Sequence, residues 1–281
     1  VMDSNCRRAL VLGGGGLTGT GWLVGMLYGL AEAGVDLSQP DVVIGTSSGA
    51  IVGALITTGA DLEHLYARYL SPLHPEPVRE LNAAALASLG SMMAGEANPQ
   101  LARARVGHAA LAAAQTASAD DVSDSVAARI PASDWPEHPT LLLTAVDANS
   151  GEFVALRRQD GVPLQTAVAA SCALPFAYRP VEALGRRWID GFLRSPANAD
   201  LAADCDRVVV LAPMPEGFGP GKVVDQAADL AATTGASVVT VVAERVPENP
   251  LDPSQLATTA KAGHDEAAAA AAEVSRIWFG C

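Results

Sequence analysis

From Val42 to Ala60 the chain carries no charged side chain, and that stretch falls into three parts. Val42-Val43-Ile44 is a short apolar run. Gly45-Thr46-Ser47-Ser48-Gly49 follows, and then Ile51, Val52, Leu55 and Ile56 recur at helical spacing. A short apolar run, a turn of small residues and an apolar helix read as a buried strand feeding a helix, the unit from which covered parallel sheets are built. The central residues form a G-x-S-x-G pattern. A serine on so tight a turn has a strained backbone and an exposed hydroxyl, and its neighbours two residues away on either side must be small. The helix that begins there favours developing negative charge at its N-terminus. Gly45 and Gly49 flank Ser47, whereas Ser48 has Thr46 and Ala50 in those positions, so the register selects Ser47 as the nucleophile.

A second uncharged stretch, Ala9–Ala31, repeats the design. Arg8–Leu12 reads as a strand, Gly13-Gly14-Gly15-Gly16-Leu17-Thr18-Gly19 as a loop, and Trp22, Leu23, Met26, Leu27 and Leu30 as one helix face. The glycines in each stretch argue against membrane helices. Consecutive glycines can turn their N–H groups toward a ligand, and beside a serine nucleophile such donors form an oxyanion hole. Gly14-x-Gly16-x-x-Gly19 also matches a dinucleotide fingerprint. That reading wants an acidic residue at the end of the second strand, where this chain has Gly45-Thr46-Ser47.

Further strands are expected at Leu141–Val146 and Phe153–Leu156, joined by the turn residues Asp147–Gly151, then at Trp188-Ile189, Arg207–Leu211 and Val238–Val242. Helices are expected near Leu164–Ser171 and Val223–Thr233, and a long terminal helix over Pro253–Trp278. Residues Asp61–Pro139 offer no convincing strand. Ala-rich helical pieces there alternate with breaks at Pro72, Pro75, Pro77, Pro99, Pro131 and Pro136, and Met92, Met93 and Leu101 are among their apolar positions. The pattern predicts a single domain over residues 1–281: a three-layer α/β/α sandwich with a mostly parallel sheet, a helical insertion or lid at 61–139, and a C-terminal helix at 253–278.

Charge narrows the function. The net charge is −13, only two of the 18 basic residues are Lys (Lys222 and Lys261), and no basic stretch exceeds Arg-Arg. Nucleic-acid binding and a polybasic grip on anionic lipid are therefore not expected. Cys6, Cys172, Cys205 and Cys281 lack metal-ligand spacing and read as free thiols in a reducing compartment, without a metal. Arg7-Arg8, an apolar stretch and Ala31-Glu32-Ala33 imitate an export signal. Cleavage there would remove the glycine loop, so a cytoplasmic protein, at most peripheral at a membrane, is expected.

A third motif, Trp188-Ile189-Asp190-Gly191, places an acid at a strand end. Together the three motifs resemble those of the patatin-like phospholipases: the glycine loop at Gly13–Gly19, the elbow at Gly45–Gly49 and the Asp-Gly pair at Asp190-Gly191. Ala170-Ser171-Cys172-Ala173-Leu174-Pro175 resembles the family's A-S-x-A-x-P segment, and Thr144–Gly151 the strand and turn upstream of it. The resemblance spans roughly Arg8–Val210 and is weakest over Asp61–Pro139. It implies a Ser-Asp dyad in which Ser47 is the nucleophile and Asp190 its base, with backbone N–H groups around Gly14, Gly15 and Gly16 holding the oxyanion. The implied reaction is hydrolysis of a carboxylic ester of an acyl lipid (as phospholipase, lysophospholipase or esterase) through an acyl-enzyme, with no cofactor. The implied partners are the acyl-ester substrate and a transient membrane surface. Two other outcomes fit the same residues: an acyltransferase on the same dyad, or a catalytically silent member that binds acyl ligands or a protein.

The chain departs from the family pattern twice. Thr18 stands where Arg is common in the glycine loop, which bears on recognition of a lipid phosphate. Phe192 stands where a second Gly is frequent, and either narrows the site or packs beneath it. Ser47…Asp190…His264 has the chain order of an α/β-hydrolase triad. Only two strands precede Ser47, however, and His264 lies mid-helix, where a solvated face is expected. His64, His74, His108 and His138 fall in or at the end of the insertion, as surface or lid residues. Asp147 reads as a turn residue before a second acid, Arg179, Arg186 and Arg187 as surface or ion-pair residues, and Cys172 as a small buried side chain. The insertion's Leu and Met residues suit an acyl channel and packing against the sheet equally well.

Overall fold

The computed structural model describes residues 6–71, 83–116, 121–219 and 221–280. Pro72, His74, Pro75, Pro77 and Cys281 lie outside them. The chain opens with β1 (Arg8–Leu12), α1 (Gly16–Glu32), β2 (Val42–Gly45) and α2 (Ser48–Thr57). Four helices follow: α3 (Leu62–Leu70), α4 (Ala83–Ala94), α5 (Pro99–Thr116) and α6 (Val122–Arg129). The sheet resumes with β3 (Thr140–Asp147) and β4 (Phe153–Leu156), then α7 (Leu164–Cys172), β5 (Val181–Ala183), β6 (Arg186–Asp190) and β7 (Arg207–Ala212). Last come α8 (Val223–Thr234), β8 (Ser237–Val242) and α9 (Leu256–Phe279), a helix preceded by one 3-10 turn at Pro253–Gln255.

The sheet has eight strands in the order β5-β6-β3-β2-β1-β7-β8, with β4 on β3. Strands β3, β2, β1, β7 and β8 run parallel, with Leu10 opposite Val43 on one side and Val209 on the other. Antiparallel β4 and β6 both pair with β3, and β5 with β6, so the sheet is mixed at that edge. Alternation along β1 divides the core. Leu10 and Leu12 face the helices α1, α2, α7 and α9, while Ala9 and Val11 face α8 and the segment around Ala199–Cys205. Burial on both faces is why these strands are apolar throughout.

Helix α1 is buried on nearly all sides because α9 crosses it at backbone contact distance. A Cβ on Gly25 would lie 1.9 Å from the carbonyl oxygen of Ala260, and one on Gly263 would lie 2.1 Å from that of Trp22. Trp22 Nε1 then donates to Glu266 Oε2 at 2.8 Å. Among the described residues the regular elements of the insertion are all helices. Pro99 opens α5, where its missing N–H costs nothing, and Pro131 stops the chain just past α6. Leu89, Met93, Ala102 and Val106 of α4 and α5 pack onto Val146, Ile189 and Leu193 beside the antiparallel edge. Leu101, one of the apolar positions of the insertion, is exposed.

Strand β5 was not anticipated. Its hairpin with β6 turns at Leu184-Gly185, both at positive φ, and a leucine in that position conceals the usual Asn-Gly signal. Among the described residues no helix is long and apolar enough to cross a membrane.

Candidate active site

Strand β2 delivers Ser47 to the start of α2 with φ 53° and ψ −117°, in the half of backbone space that L-residues avoid. Gly49 makes the turn possible. Any Cβ there would lie 1.9 Å from the carbonyl oxygen of Leu12, so only glycine lets α2 begin against the end of β1. The strained residue is held from both sides by the last turn of α7. Its N–H donates to Ser171 Oγ at 3.0 Å, and its carbonyl accepts from Cys172 Sγ at 3.2 Å. The A-S-x-A-x-P segment thus works as the clamp on Ser47, a role its spacing did not show. Burial pushes the Cys172 thiol far up, which makes it an inert donor.

Ser47 Oγ donates to Asp190 Oδ2 at 2.8 Å. Asp190 ends β6 and is 1% exposed, and its other oxygen accepts from Phe192 N–H at 2.9 Å. Burial raises its pKa from an ordinary 3.8 to about 7, against the lowering effect of the Phe192 N–H and the Ser47 hydroxyl. Its carboxylate is therefore a far stronger base than a solvated Asp. The rival Ser48 Oγ donates to Gly13 O at 3.2 Å and ties the elbow to the glycine loop.

The glycine loop requires a correction at one position. Gly14 N–H donates to Pro196 O at 2.8 Å, so it is not an available oxyanion donor. Among the described residues no acceptor meets the N–H of Gly15, Gly16 or Ser48. These three residues line the same cleft as Ser47 and Asp190. Sequence reading had omitted Ser48, although the residue after the nucleophile is a common source of such an N–H. Thr18 does not line that cleft: its hydroxyl is buried and donates to Gly15 O at 3.2 Å.

Beneath the elbow lies a buried polar cluster that sequence reading also passed over. Asn198 Nδ2 donates to Thr46 Oγ1 and to Ser195 O, and Thr144 Oγ1 donates to Thr46 Oγ1, at 2.9–3.0 Å. Asn198 sits at φ 54°, a conformation asparagine tolerates better than most residues, and that is the one signal in its identity.

The cleft has a cavity volume of about 70 Å³. Ile51, Leu174, Phe218 and Leu251 give it apolar walls, and Phe192 lines it directly. The insertion contributes Leu86 of α4 and Val122, Val126 and Arg129 of α6. Met92 and Met93 instead pack at the sheet edge. The insertion therefore lines the cleft with some residues and packs on the sheet edge with others.

Among the described residues no histidine lines this cleft. His64, His108 and His138 are exposed, and His74 lies outside the described residues. His264 is neither a triad member nor simply solvated. It stacks on Tyr28 and Tyr66, and its Nε2 lies 2.7 Å from Glu32 Oε2. Asp147 spends its carboxylate on the N–H groups of Asn149 and Ser150 as a turn residue. Arg186 pairs with Glu152 at 2.8 Å. Cys6, Cys172 and Cys205 are free thiols, and no cluster of metal-ligating side chains occurs among the described residues.

A family model described as patatin-like phospholipase matches residues 10–203. No protein of curated function matches the chain. Among solved structures, VipD from Legionella pneumophila is similar over 97% of this chain and 68% of its own, at TM-score 0.50 and 13% identity. The type III effector protein ExoU matches over 98% of this chain but about half of its own (54%), at TM-score 0.41 and 17% identity.

Proposed function

The chain belongs to the patatin-like phospholipase family, and on that premise we propose that it is a serine acyl hydrolase that cleaves carboxylic esters of acyl lipids through an acyl-enzyme on Ser47. The observation that carries this reading is the 2.8 Å bond from a backbone-strained serine to a buried aspartate. Asp190 takes the Ser47 proton as Oγ attacks the ester carbonyl carbon. The carbonyl oxygen becomes an oxyanion held by the N–H groups of Gly15, Gly16 and Ser48 at the N-termini of α1 and α2. Donors already in place cost no reorganisation when the charge develops. Collapse expels the alcohol, which leaves with the proton from Asp190. Water then enters, gives a proton to Asp190, and attacks the acyl-enzyme to release the fatty acid and restore Ser47.

Burial around Asp190 supports this assignment, because a base must hold the proton it takes long enough to return it. The apolar walls of the cleft suit an acyl chain. The whole chain is one domain in this reading, with the insertion forming part of the substrate wall.

The test is intact-mass analysis after fluorophosphonate treatment, paired with turnover of a p-nitrophenyl acyl ester. A single adduct and turnover, both absent in Ser47→Ala and strongly reduced in Asp190→Asn, is the expected result. A folded wild-type chain that takes no adduct and turns over no ester sinks the proposal.

A further inference from the structure

The cleft that holds Ser47 and Asp190 has a volume of only about 70 Å³, and the buried ring of Phe192 forms part of its wall. Phe192 is fixed at both its backbone and its ring. Its N–H donates to Asp190 Oδ1 at 2.9 Å, at the start of a 3-10 turn over Gly191–Leu193. Its ring packs on Gly14, where a Cβ would lie 2.5 Å from Phe192 Cδ2 and 3.2 Å from Ser47 Cβ. Ring and nucleophile therefore flank the same point of the glycine loop. On its other edge the ring meets Gly217, where a Cβ would lie 3.3 Å from Phe192 Cε1. Phe218, another wall residue, lies edge-on to it, with ring centroids 5.8 Å apart and planes at 78°. A ring wedged between two glycine backbones swings away only if one of them moves.

We propose that Phe192 sets the acyl-chain length at this site, and that the substrates are esters of short fatty acids, about four to six carbons long. The inference rests on the acyl-hydrolase reading and narrows its substrate class. Ser47 takes the carbonyl carbon, and Gly15, Gly16 and Ser48 take the carbonyl oxygen. Two arms of the ester remain. The alcohol departs and water replaces it, so its side of the cleft must open to solvent. The acyl chain stays bonded to Ser47 between the two steps, and the enclosed apolar part of the cleft is its place. A water-sized group occupies about 10–15 Å³ of such a volume, so a cavity of about 70 Å³ takes roughly five to seven groups the size of a water or a methylene. Each methylene that is buried strengthens binding by about fourfold, and the gain ends where the wall begins. A longer chain has to displace the held rings of Phe192 and Phe218 or turn back into water.

The experiment measures kcat/KM for the p-nitrophenyl esters of acetate, butanoate, hexanoate, octanoate, decanoate and dodecanoate, each kept below its aggregation limit, in wild type, Phe192→Leu and Phe192→Ala. Wild type is expected to be fastest on butanoate or hexanoate and at least about tenfold slower on dodecanoate. The dodecanoate-to-hexanoate ratio is expected to rise at least about tenfold in Phe192→Ala, with Phe192→Leu between. A wild-type maximum at decanoate or dodecanoate overturns the proposal. A uniform loss across the series in Phe192→Ala overturns it too, because it marks the ring as a support of Asp190 only, and so does a ratio that does not change. Hexyl and dodecyl butanoate extend the alcohol arm instead: a shift in Phe192→Ala there, and none in the acyl series, overturns the assignment of the ring to the acyl chain. Should Phe192→Ala not fold, Phe218→Ala frees the outer edge of the ring and is expected to raise the same acyl ratio at least about threefold. No rise there overturns the role of Phe192. Fluorophosphonate labelling of wild-type Ser47 is read in parallel: labelling and turnover without a short-chain preference defeat this inference alone, and absence of labelling with absence of turnover at every chain length defeats the hydrolase reading beneath it.

Discussion

Ser47 Oγ and Asp190 Oδ2 lie 2.8 Å apart although the residues are 143 positions apart in the chain, and both side chains are buried. The pairing ties activity to pH. Asp190 must be ionised to accept the serine proton, and burial raises its pKa to about 7. We expect kcat/KM for a neutral ester to rise through an apparent pKa near that value and level off above it. Stability runs the opposite way. A group whose folded pKa exceeds its unfolded one contributes stability that is complete below the ordinary value of 3.8 and is lost as pH rises through about 7. Asp190→Asn removes that loss, so its advantage over wild type in urea midpoint should grow between pH 5 and pH 8. A pH–rate profile with an acid limb near 4 contradicts the buried-base account.

The strain at Ser47 predicts a trade between stability and activity. A non-glycine residue at φ 53° stores on the order of 1–3 kcal/mol, which glycine relieves at the cost of a more flexible unfolded chain. Ser47→Gly should therefore be as stable as wild type or more stable by about 1 kcal/mol, while ester turnover drops by at least about a thousandfold. Thermal denaturation beside turnover makes the comparison, and a clearly lower melting temperature speaks against stored strain.

Ser171 is fully buried and accepts from the Ser47 N–H. Ser171→Ala leaves that donor unsatisfied, a cost of about 1–3 kcal/mol. Because the lost bond orients the nucleophile and touches no substrate, kcat should fall while KM changes little. Steady-state kinetics and a urea melt on the same preparation test both parts. A fall confined to KM argues that Ser171 contacts substrate.

At the far side of α1, Glu32 joins His264, and that bond raises the imidazole pKa, with a smaller contribution from Asp265. The sign is that of a base gaining partners: the stabilisation is full below the unfolded value near 6.5 and lost as pH rises through the folded one. Glu32→Gln should lower the melting temperature at pH 6 more than at pH 9. The pair is partly solvated, so the effect is small. Equal shifts at both pH values remove the imidazolium from the account.

How far the sequence reaches differs from element to element. Strands β1 and β2 were legible because burial on both faces makes them apolar without interruption, and the two glycine-rich turns because close backbone approach leaves no room for a Cβ. Strand β5 was not legible: three residues carry no period, and its turn holds Leu184 where glycine or asparagine is usual. The buried cluster around Asn198 was missed for a similar reason, since a polar residue in a loop looks solvated until its neighbours are known. The insertion was legible as helical, but which of its residues face the cleft was not.

By itself the sequence determined the two glycine-rich turns and the place of Ser47 on the second, because local backbone geometry demands those residue types within a few positions of each other, while Asp190 was singled out only by the resemblance of its Asp-Gly motif. Tertiary structure alone decided which donors are available and which charges are buried. Gly14 loses its N–H to Pro196, Ser171 and Cys172 clamp Ser47, Asp190 becomes basic through burial, and Arg129 comes to the wall of the same cleft. Hydrogen-bond partners and desolvation depend on what lies across space, and segments far apart in the chain meet there only once the sheet has assembled.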